Sequence, residues 1–135
     1  MSLRTYRIGS PREPGEGLRL GTVRYLPRGV RKTDYARRDY FDVWLPALAP
    51  SRELFVWALK GGGLARNPER FFARYAREMR TDTDARQTLI LVAALGARTD
   101  ISVGCYCADE SRCHRSELFR LLQRAQEEQS DGLKT

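Results

Sequence analysis

The segment Ile101-Ser-Val-Gly-Cys-Tyr-Cys107 is a short apolar run closed by Asp100 on one side and by the polar stretch Ala108 to Arg112 on the other. It lies between two stretches whose apolar residues recur at helical spacing, Leu89 to Leu95 before it and Leu118, Leu121, Leu122 and Ala125 after it. A strand that is apolar on both faces has no surface to offer water, so it belongs in the middle of a covered sheet. This confines the chain to an α/β architecture: a short, mainly parallel central sheet flanked by helices in a Rossmann-like three-layer arrangement. At 135 residues, a single domain over 1–135 is expected.

The remaining elements follow from periodicity and punctuation. Residues 3 to 8 alternate apolar with polar and stop at Gly9-Ser10-Pro11, which predicts a strand. Leu20 to Tyr25 predicts a second, ended where Pro27 removes a donor and Gly29 permits positive φ. Tyr40, Phe41, Trp44, Leu45 and Leu48 fall at spacings of three and four, which predicts a helix over 35–48 with a break near Pro46. Ser51 is placed to cap a short helix carrying Leu54, Phe55, Ala58 and Leu59, and Gly61-Gly62-Gly63 ends it. Asn67-Pro68 opens a helix with the stripe Phe71, Phe72, Tyr75, Ala76 and Met79. Asp82 or Thr83 starts another, whose run Leu89 to Leu95 predicts deep burial, and a final helix starts at Cys113 or His114.

The formal charge is +7, carried by 21 Arg and only three Lys. Arginine recognises carboxylate and phosphate with two parallel hydrogen bonds, so an anionic partner fits the balance. Arg66, Arg70, Arg74 and Arg77 recur on one helix face and read as a solvated surface, whereas Arg24, Arg28 and Arg31 share a loop and read as a site. The chain contains no run of about 18 apolar residues and no apolar leader after Met1, so no membrane span and a cytoplasmic location are expected. No feature specifies an oligomeric state.

All three cysteines fall between Cys105 and Cys113, a crowding that scattered core cysteines would not show. On a strand Cys105 and Cys107 share a face, with Cys107 at the carboxyl end, where open α/β sheets place ligands. Cys113, His114 and Arg115 would open the following helix, whose free N–H groups favour an anion or a thiolate. A zinc site on Cys105, Cys107, Cys113 and His114 is one assignment. Its Cys-x-Cys and adjacent Cys-His pairs depart from the usual spacing of about two to four residues, so neither metal nor cofactor is expected. A rhodanese-like thiolate loop from Cys107 to Arg112 has the required cysteine-to-arginine spacing, but Asp109 and Glu110 would repel an anion there. A third assignment is an anion or nucleotide pocket at the helix start, joined by Arg24 or Arg28 from the neighbouring strand end. The plainest alternative makes Cys105 and Cys107 core residues, with His114 and Arg115 holding loop carbonyls. His114 is the one histidine, hence the one candidate base with an ordinary pKa near neutrality.

Several segments together resemble a known family. Val23-Arg-Tyr-Leu-Pro-Arg-Gly-Val30, Trp44-Leu-Pro-Ala-Leu-Ala-Pro-Ser51 with Glu53-Leu54, Phe72-Ala-Arg-Tyr75, and the closing Cys107 to Arg115 are similar to the motifs of the DUF488 family of bacterial and archaeal proteins. The resemblance covers most of the chain and implies a mainly parallel α/β fold. It also implies that Arg24, Arg28, Cys107, Cys113, His114 and Arg115 are the recurring motif positions, with Cys105 outside the pattern.

Cys107, Cys113, His114 and Arg115 are therefore the candidate catalytic residues, and Arg24, Arg28 and Arg115 the candidate ligand-binding residues. The expected ligand is a small phosphate- or nucleotide-like anion held between the Arg24–Arg28 loop and the start of the final helix. The alternative is a nucleic-acid-binding module using Arg28, Arg31, Lys32, Arg37 and Arg38, whose binding would weaken steeply with salt.

Overall fold

The computed structural model describes residues 2–107, 109 and 112–134, with the backbone alone for 132–134. Four strands, β1 (Leu3–Arg7), β2 (Leu18–Gly21), β3 (Val43–Trp44) and β4 (Ile101–Cys105), form one all-parallel sheet in the order β1-β4-β2-β3. All five residues of β4 are buried, as its double-sided apolar pattern requires. Register sets Tyr6 beside Gly104 and Gly21 beside Gly104. A Cβ on Gly104 would lie 2.4 Å from the Tyr6 ring, so the absent side chain is what lets that ring lie against the sheet.

Five helices follow: α1 (Arg52–Leu59), α2 (Gly63–Arg66), α3 (Pro68–Thr81), α4 (Thr83–Gly96) and α5 (His114–Lys134). The predicted caps form: Ser51 Oγ accepts from Leu54 N–H at 3.1 Å, Asn67 Oδ1 from Arg70 N–H at 3.1 Å, and Asp82 Oδ2 from Ala85 N–H at 2.9 Å. The helices bury their apolar stripes against Leu20, Ile101 and Val103 on one sheet face. Chain from residues 8–17 and 32–42, with a short 3-10 turn at Lys32–Asp34, covers the other, so among the described residues no α-helix forms this layer.

That second face is organised by a buried cation. Arg19 is fully buried; its guanidinium pairs with Glu16 at 2.6 and 3.1 Å, donates to the carbonyls of Ser10, Pro11 and Asp39, and lies 4.3 Å from the Tyr6 ring centroid. One side chain thus ties three loop segments to β2.

Three expectations are corrected. The helix predicted over 35–48 is instead turns, the strand β3 and a 3-10 turn at Pro46–Leu48. Its apolar residues serve different places: Phe41 packs where Gly21 lacks a Cβ, Trp44 Nε1 donates to Val23 O at 2.7 Å, and Leu48 enters the helical core. The second strand ends at Gly21, not Tyr25. Helix α4 buries Ala85, Leu89, Val92, Ala93 and Gly96 but leaves Ile90, Leu91 and Leu95 exposed, because α3 and α5 pack on one of its sides.

Candidate functional site

The carboxyl ends of β2 and β4 meet the start of α5, and the three cysteines converge there. Cys105 ends β4, and the bend at Tyr106 returns Cys107 to the same side, with the Cys105 thiol 3.7 Å from Cys107 Sγ. Cys113 immediately precedes α5 and His114 is its first residue; Cys113 Sγ lies 3.8 Å from His114 Nδ1. The ligating atoms of Cys105, Cys113 and His114 all lie within 4.8 Å of one another.

His114 is buried, packs on the Tyr75 ring and has its Nε2 2.7 Å from the Thr22 carbonyl oxygen. A carbonyl can only accept, so Nε2 carries the proton and the Nδ1 lone pair faces the sulfurs. Burial pushes its pKa down to about 4, so the ring is neutral at physiological pH. Arg115, also buried, donates from Nη1 to Cys107 O at 2.8 Å and to Cys105 O at 3.3 Å, which clamps the strand end on which both thiols ride. Its Nε is buried without a hydrogen-bond partner among the described residues.

The thiols hold one another. Hydrogen bonds from Cys105 and Cys113 hold Cys107 well below the ordinary thiol range. The hydrogen bond to Cys107 pushes Cys105 up to about 11, and bonds to Cys105 and Cys107 push Cys113 far higher. Half-exposed Cys107 is therefore the thiol its neighbours favour as the thiolate.

Above this floor is a cavity of about 300 Å³. Its walls are mostly apolar, with Tyr25, Phe55, Phe71 and Ala58 facing Cys105, Cys107, Cys113 and His114, and Arg112 is its guanidinium. Tyr25 and Phe55 meet edge to face at 5.5 Å.

The loop after β2 and the start of α5 thus line one cavity, but the expected arginines divide. Arg24 donates to Pro50 O at 3.1 Å and Ala49 O at 3.4 Å and lines a separate depression with Glu78, Asp82 and Asp84. Arg28 is exposed, and Arg115 is committed to carbonyls beneath the cysteines. In the basic stretch, Arg31, Lys32, Arg37 and Arg38 are exposed; Arg37 pairs with Asp34 at 2.7 Å and Arg38 lies 5.6 Å from the Tyr40 ring centroid. Arg70 and Arg74 lie over the Trp57 ring, as a solvated helix face would place them. The rhodanese-like loop reading depends on residues 108, 110 and 111, which lie outside the described residues.

Sequence reasoning missed the aromatic wall and the place of Cys105. Phe55 and Phe71 sit at helical spacing and read as ordinary core. Tyr25, an aromatic residue two positions before Pro27 in the loop after β2, was the available signal.

A parallel α/β protein with a sulfur and imidazole cluster beneath a cavity at its carboxyl edge is the class that fold and site define. The chain belongs to the DUF488 family: the model of DUF488-N3a, described as the active DUF488-N3 subclade, matches residues 3–126. No curated protein and no solved structure matches it. Among the described residues no helix is long and apolar enough to cross a membrane.

Proposed function

We propose that this protein is a small-molecule enzyme whose substrate lies in the cavity between the loop after β2 and the start of α5, with its reacting group over the Cys107, Cys113 and His114 floor. One observation carries the reading: a concave, mostly apolar space of about 300 Å³ has all the chain's thiols and its one histidine gathered at one end. The description of the family model as an active subclade supports an enzyme over a purely structural protein.

The lining also shapes the ligand. Tyr25, Phe55 and Phe71 suit a flat, apolar body, and Arg112 is the cation that borders the space. An anionic ligand therefore takes its charge to Arg112 at the edge, with a ring between the aromatic walls, as in a small aromatic carboxylate or a nucleobase bearing one phosphate. Arg24 and Arg28 are not needed in this arrangement.

The test is an NMR titration of the full chain with aromatic carboxylates and nucleoside monophosphates. Shifts centred on Tyr25, Phe55, Phe71 and Tyr106, together with selective weakening of the anionic members by Arg112→Gln, are expected. Absence of binding across the panel at millimolar concentration overturns the reading.

A further inference from the structure

Three thiols and an imidazole meeting in a protein interior need a reason. Cys105 and Cys113 pack in an apolar cluster with Tyr6, Ile8, Val23 and Phe41, yet each of the three sulfurs also has another sulfur or a ring nitrogen within 3.8 Å. The distances supply one. With metal–sulfur bonds of about 2.3 Å and metal–nitrogen bonds of about 2.05 Å, a tetrahedral site has edges of about 3.8 Å between sulfurs and about 3.6 Å between sulfur and nitrogen. The Cys105–Cys107 pair lies at 3.7 Å and the Cys113–His114 pair at 3.8 Å. Cys105, Cys113 and His114 already have their ligating atoms within 4.8 Å of one another; Cys107 lies outside that mutual group and touches it at Cys105, 3.7 Å away, so its side chain must turn inward to close the fourth corner.

The surroundings point the same way. A metal-bound histidine usually gives its other ring N–H to a carbonyl or carboxylate, which fixes the tautomer and aims the free lone pair at the ion. His114 does this with Thr22 O at 2.7 Å and presents Nδ1 to the sulfurs. Arg115, bonded to the carbonyls of Cys105 and Cys107, places a buried positive charge directly beneath.

We propose that Cys105, Cys107, Cys113 and His114 form a tetrahedral three-sulfur, one-nitrogen site for a zinc-class, thiophilic divalent cation at the floor of the cavity. Binding forms three metal–sulfur bonds, breaks the S–H bond of each cysteine that still carries its proton and releases those protons to solvent, with no redox change. Three thiolates and a divalent ion leave one net negative charge, which Arg115 balances. Soft sulfur ligands and tetrahedral geometry select zinc over magnesium or calcium. The spacing that argued against zinc in the sequence reflects the fold: the end of β4 and the bend after it supply one pair and the start of α5 the other. Cys107, half-exposed and bordering the cavity, is the ligand nearest any bound molecule. The proposal rests on the floor of the site and not on the ligand proposed above it. A chain that binds metal but no member of the ligand panel keeps this proposal and loses that one.

The test is a titration of the reduced, anaerobic full chain with Co²⁺, followed by displacement with Zn²⁺. The expected result is one ion per chain, the intense visible absorption of tetrahedral cobalt, sulfur-to-cobalt charge transfer in the near ultraviolet, and loss of both on adding zinc. Cys107→Ser, the substitution that disturbs the core least, should lower the charge-transfer intensity by about a third and weaken binding at least tenfold. The weak spectrum of octahedral cobalt, or no binding, overturns the site. A wild-type spectrum from Cys107→Ser removes Cys107 from it.

Discussion

His114 Nε2 lies 2.7 Å from the Thr22 carbonyl oxygen, so the end of β2 dictates which nitrogen of the histidine faces the cysteines. The bond links the end of β2 to the start of α5 beside the cavity and leaves a neutral imidazole with its lone pair turned inward.

His114→Leu keeps the bulk but leaves Thr22 O without its donor. Loss of about 1–3 kcal/mol of unfolding free energy is expected in urea denaturation, along with loss of cobalt binding. Unchanged stability would mean the buried hydrogen bond does not hold the strand end.

Arg115→Met removes the donor to the Cys105 and Cys107 carbonyls while retaining an apolar stem. The variant should lose about 1.5–3 kcal/mol and bind cobalt about 10- to 100-fold more weakly, with the same absorption bands, because Arg115 positions ligands without being one. Altered band positions would make it a ligand instead.

Ala58→Phe places a ring inside the cavity that Ala58 lines. The space already exists, so stability should stay within about 1 kcal/mol of wild type. Binding of the aromatic anions should vanish while the cobalt spectrum stays unchanged. Retained ligand binding would put the ligand elsewhere.

Acid should act through Glu16. The Arg19 guanidinium holds the Glu16 carboxyl below its ordinary value of 4.5. A depressed carboxylate contributes stability that is present above that ordinary value and lost as pH falls through the lowered one. Glu16→Gln should cost about 3–5 kcal/mol at neutral pH, because Arg19 is left buried and unpaired. In urea denaturation at a series of pH values, the gap to wild type should shrink as the solution is acidified below 4.5. A gap independent of pH would show that the pair contributes nothing through its charge.

What was legible in the sequence follows from which signals are local. The double-sided apolar run of β4 and the caps at Ser51, Asn67 and Asp82 come from short-range rules, and the structure carries them. The segment 35–48 misleads because helical spacing arises by coincidence when Phe41, Trp44 and Leu48 each answer to a different neighbour. Arg19 falls just before the strand predicted from Leu20 and carries no sequence signal of burial; only the chain folded over that face makes it the buried hub. Arg24 is expected from the sequence as a ligand-binding residue, but its guanidinium turns to the Ala49 and Pro50 carbonyls and lines a separate depression, which no sequence pattern encodes.

The most direct test of the cysteine and histidine floor is zinc-edge X-ray absorption on the full chain loaded anaerobically with one equivalent of zinc. A shell of three sulfurs at about 2.3 Å and one nitrogen at about 2.0–2.1 Å is the predicted result. A shell of oxygen and nitrogen alone, or zinc that washes away from the folded protein, would contradict it.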